Sequence, residues 1–61
     1  MALFYDPRDE KDLKRIEELL RKNGIEYSLR PEPLDKLGPA QVHVAEEDLP
    51  RAEELLIHLQ S

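Results

Sequence analysis

Residues 19–25, Leu-Leu-Arg-Lys-Asn-Gly-Ile, constrain the fold more tightly than any other stretch, because one hydrophobic period ends there and another begins. Upstream, Leu13, Ile16, Leu19 and Leu20 recur at helical spacing on one face. The opposite face carries Glu10 with Lys14, Glu17 with Arg21 and Glu18 with Lys22, each pair four apart with the acid first. Asp9 stands where an N-cap belongs, and Glu10 and Asp12 suit the positive end of the helix dipole. Gly24 can take the left-handed conformation that ends a helix at Asn23, with Ile25 folding back onto Leu20 as a Schellman cap requires. Downstream, residues 25–30 alternate without exception: Ile25, Tyr27 and Leu29 on one side, Glu26, Ser28 and Arg30 on the other. That period of two predicts a half-buried strand. A helix that stops and a strand that starts within two residues dictate a strand returning beneath the helix that precedes it.

The remaining elements follow from the same signals. Ala2, Leu3, Phe4 and Tyr5 read as a first strand, stopped by Asp6, Pro7 and Arg8. Pro31, Pro33, Gly38 and Pro39 delimit a connection over 31–39, under which Leu34 and Leu37 are expected to tuck. Residues 41–44 resume the alternation, with Val42 and Val44 inward and Gln41 and His43 outward. Glu46, Glu47 and Asp48 load negative charge ahead of a second helix, which tolerates Pro50 in its first turn. Its stripe is Leu49, Ala52, Leu55, Leu56 and Leu59, and Ile57 lies off it. The order β-α-β-β-α predicts a two-layer α+β fold: a three-stranded antiparallel sheet in the order 1-3-2 with both helices on one face, ferredoxin-like but lacking the last strand. At 61 residues this is a single domain, 1–61. Its expected core is Leu13, Ile16, Leu20, Tyr27, Leu29, Val42, Val44, Ala52, Leu56 and Leu59.

Charge and motif content narrow the functions. A formal net charge of -5 argues against a nucleic-acid duplex or an anionic membrane as partner. With no cysteine, disulfides, thiolate metal sites and thiol nucleophiles are excluded. No signal segment or membrane-spanning run is apparent, so a cytoplasmic protein is expected. Gly24 and Gly38 stand alone rather than in a phosphate loop, and neither a zinc-protease nor a nucleophile-elbow motif occurs. A Ser28–His43 nucleophile would need an oxyanion hole and an enclosed pocket that a two-layer domain of this size does not readily supply. The chain therefore reads as a non-enzyme with no catalytic, cofactor-binding or metal-ligating residue. His58, four residues after Glu54, reads as a helix-surface residue, and Glu46 to Asp48 as dipole complements.

What remains unabsorbed is the sheet face that no helix covers, carrying Glu26, Ser28, Arg30, Gln41 and His43. The free edge of the first strand, with uncharged Leu3 and Phe4, adds a second surface. Phe4, Glu26, Ser28, Arg30, Gln41 and His43 form the candidate interaction surface of a regulatory or protein-binding module. Weak homodimerisation is expected through the first strand. The alternatives are a small-ligand sensor built on the 31–39 connection and His43, and a metal-binding protein built on His43 or the acidic cluster.

Tyr5, Asp9, the Leu19 to Ile25 turn, and the run Val44-Ala45-Glu46-Glu47-Asp48-Leu49-Pro50-Arg51-Ala52-Glu53-Glu54-Leu55-Leu56 together resemble a family of short prokaryotic domains of unknown function, described as putative signal-transducing proteins. The resemblance covers nearly the whole chain. It implies a regulatory role through likeness to nitrogen-regulatory PII-type domains, although the chain has neither a PII-type nucleotide loop nor a closing strand. It implies no ligand-binding residue.

Overall fold

A computed structural model describes residues 1–31 and 38–60. Strand β1 (Ala2–Tyr5) leads through Pro7 to helix α1 (Glu10–Lys22), strands β2 (Tyr27–Arg30) and β3 (Gln41–Val44) follow, and a short 3-10 turn (Glu46–Asp48) opens into helix α2 (Leu49–Gln60). The sheet order is β1-β3-β2 and both pairings are antiparallel. The α+β architecture is thus the one the two hydrophobic periods predict. The expected tuck of Leu34 and Leu37 beneath the connection lies outside the described residues.

Helix α1 forms where its caps dictate. The Asp9 side chain accepts from the Asp12 amide at 2.8 Å. At the other end Gly24 has φ +68°, its amide donates to the Arg21 carbonyl at 3.2 Å, and the Ile25 amide donates to the Leu20 carbonyl at 2.9 Å. These are the two bonds of a Schellman cap. The cap also moves the strand boundary: Ile25 is buried but committed to the helix end, so β2 begins at Tyr27 rather than at residue 25.

Leu13, Ile16 and Leu20 of α1, Ala52 of α2, and Ile25, Val42 and Val44 form the buried cluster, so both helices lie over the same sheet face. Two expected core members are not there. Leu29, opposite Val42, is 42% exposed, because a side chain near the end of an edge strand has a neighbouring strand on one side only. Leu59 is 37% exposed. Helix α2 has 12 residues, roughly 18 Å of rise, against roughly 13 Å for a four-residue strand, so its last turn overhangs the sheet. Tyr27 and Leu56 are half-buried at the margin of the cluster. Pro7, which ends β1, is fully buried, and Ala40 joins the core ahead of β3.

Candidate interaction surface

The open face is built around β3, whose alternation buries Val42 and Val44 and turns Gln41 and His43 the other way. His43 stands opposite Leu3 of β1 on one side and Ser28 of β2 on the other, while Gln41 stands opposite Arg30. Leu3 is half exposed, at 50%. His43 Nε2 lies 3.3 Å from Gln41 Oε1. Nδ1 is buried and has no hydrogen-bond partner. Glu26 is exposed immediately before β2.

The structure therefore brings Ser28, Arg30, Gln41 and His43 onto one surface with Leu3. Phe4 is placed differently. The register of β1 against β3 shifts between Leu3 and Tyr5, a bulge that inserts Phe4 as an extra residue, and Phe4 packs half-buried against the core with its ring 6.2 Å from that of Tyr5. Leu3, not Phe4, is the exposed apolar group of β1. Nothing in the apolar run 2–5 announces the bulge, since all four residues suit a strand.

A second constellation was not legible as a site. Tyr5, Arg8, Asp9, Lys11, Asp12 and Arg15 line an open cleft of about 620 Å³ at the start of α1. At its centre the Asp12 carboxylate accepts from the Tyr5 hydroxyl at 2.8 and 3.1 Å, from the Arg8 amide at 3.2 Å and from Arg15 Nη2 at 3.0 Å. Burial pushes the Asp12 carboxyl upward, but the hydrogen bonds from Tyr5, Arg8 and Arg15 outweigh it and hold the group below its ordinary value of 3.8. A carboxylate so fully engaged is a poor base. Burial, reinforced by the Asp12 carboxylate, raises the Tyr5 hydroxyl above its ordinary 10.0. The network ties β1 to α1. The signal that could have found it is a strand-ending tyrosine followed seven residues later by an acid in a helix's first turn.

Among the described residues, no group of three or more histidine, cysteine or acidic side chains could hold a metal ion. No helix among them is long and apolar enough to cross a membrane. The ligand-sensor alternative depends on the 31–39 connection, of which residues 32–37 lie outside the described residues.

The family model for proteins described as "putative prokaryotic signal transducing protein" matches residues 1–60. The chain belongs to this family. The match takes in both helices and the three strands of the described residues. Comparison with curated proteins and with solved structures gave no match. The family description points to a role in signal transduction.

Proposed function

We infer that this family member is a non-enzymatic regulatory module that contacts another protein chain through its open sheet face. One observation carries the reading. The face opposite both helices carries Leu3, an apolar side chain half exposed and opposite His43 in the strand register. Covering an exposed apolar side chain with a partner's apolar group is favourable, at roughly 25 cal/mol per Å² removed from water. Leu3 would supply the apolar centre of such a contact, with Ser28, Gln41 and Arg30 as a polar rim.

The test is site-directed photocrosslinking in cells of the native host. A photoreactive p-benzoylphenylalanine in place of Ser28 should give a discrete protein adduct, and the same group in place of Glu18, exposed on α1, should not. Adding Leu3→Lys should abolish the adduct at position 28. Equal adducts at both positions, or adducts at position 18 alone, would overturn the assignment.

A further inference from the structure

Both ends of the sheet are strands, but they are not equivalent. The bulge between Leu3 and Tyr5 breaks the regular ladder of β1, and bulges are one way natural sheets discourage edge pairing. Strand β2 has no such interruption: Tyr27, Ser28, Leu29 and Arg30 pair in unbroken register with β3 on its inner side, and no described strand pairs with its outer side. At opposite ends of this edge stand Glu26 and Arg30, both exposed. Two charges of opposite sign on one strand are left unpaired by a copy placed in a shifted register, yet they match a copy related by a two-fold axis.

We propose that two copies of this chain pair antiparallel through β2, about a two-fold axis at Ser28, to form a continuous six-stranded sheet. An axis perpendicular to the sheet keeps each face on its own side, so paired residues must share a face. Centred at Ser28, the pairing sets Glu26 of each copy opposite Arg30 of the other on the open face, twice by symmetry. On the helix face it sets Tyr27 of each copy opposite Leu29 of the other. Moving the axis to Tyr27 sets Glu26 against Ser28, and moving it to Leu29 sets Arg30 against Ser28. Only the central register pairs both charges.

Two further features fit this arrangement. Leu29 is 42% exposed on the face that otherwise forms the core, and a second Tyr27 beside it would cover it. Arg21, Gly24, Ile25, Glu26 and Tyr27 line a cleft of about 440 Å³ next to β2, and the register delivers the partner's Leu29 to the Tyr27 side of that cleft. The proposal does not depend on what the open face binds. Its consequence for that face is that the two His43 surfaces become one coplanar surface.

Sedimentation equilibrium of the full chain at low ionic strength tests the pairing, with circular dichroism to show that each variant is folded. The wild-type chain should show reversible dimerisation. Glu26→Arg alone and Arg30→Glu alone should each weaken it by about tenfold or more, since each turns two opposite-charge pairs into like-charge pairs. The double variant should associate as the wild type does, because its swapped charges again face each other. An equimolar mixture of the two single variants should form a heterodimer although neither dimerises well alone. A strict monomer at millimolar concentration would overturn the proposal. So would a dimer indifferent to both single changes, which would move the contact to β1, or a mixture that fails to associate, which would exclude the Ser28-centred register.

Discussion

Asp12 shows how much one side chain can hold in place. Its carboxylate joins the Tyr5 hydroxyl, the Arg8 amide and the Arg15 guanidinium, so a strand, a turn and a helix meet at one group. Because its folded-state value lies below the ordinary 3.8, it contributes stability that is fully present above that value and lost as pH falls through the lower, folded one. Asp12→Asn should therefore cost about 1 kcal/mol or more at pH 7, and the gap from wild type should close in acid. Urea denaturation at neutral pH and at successively lower pH checks this; a constant gap would show that the charge is not what matters. Tyr5 and Tyr27 are raised above 10.0, first by burial and then by the carboxylates of Asp12 and Glu17. Their contribution is present below 10.0 and lost as pH rises through their folded values, so Tyr5→Phe should flatten part of the alkaline fall in stability.

At the scale of elements, the two ends of α1 make separable contributions. Asp9→Ala removes the 2.8 Å bond to the Asp12 amide and should cost about 1 kcal/mol. Gly24 has φ +68°, and a Cβ built there meets nothing within 4 Å, so Gly24→Ala is opposed by backbone strain alone. That strain is about 1 kcal/mol. Gly24→Asn should recover part of it, because asparagine visits the left-handed region more readily than alanine. Chemical denaturation of the three variants checks the order: wild type above Asn, Asn above Ala. Alanine matching wild type would mean that the cap relaxes without its positive φ. Glu17 shows a helix surface redirected by its neighbour. Its spacing suits an ion pair with Arg21, but in the structure its carboxylate accepts from the Tyr27 hydroxyl at 3.0 Å and so links α1 to β2.

For the molecule as a whole, the core is small enough that position decides the cost of a substitution. Ile16 of α1 is fully buried in the core cluster, and Ile16→Ala should cost about 2–5 kcal/mol, a large share of what so small a domain has in total. Ile57 is 65% exposed, and Ile57→Lys should change stability by no more than about 0.5 kcal/mol. Thermal unfolding followed by circular dichroism separates the two; a destabilised Ile57→Lys would show that α2 is seated differently on the sheet. Leu3→Lys belongs with Ile57, since Leu3 faces away from the helices. Phe4→Lys should instead destabilise the fold, because the bulge turns Phe4 against the core.

The sequence alone determined the elements, their caps, the antiparallel order of the strands and the polar face left without a helix. Each of these rests on periodicity or on residues a few positions apart: the helical stripe of Leu13, Ile16 and Leu20, the Gly24 turn, the alternation around Val42 and Val44. The tertiary structure alone decided the bulge at Phe4, the exposure of Leu29 and Leu59, and the hydroxyl–carboxylate links from Tyr5 to Asp12 and from Tyr27 to Glu17. It also decided that His43 shares its surface with Leu3 as well as Ser28. The division has one physical cause. A period says which way a side chain points, but what it meets there depends on another segment's length, register and edge, and those are set only when the layers pack.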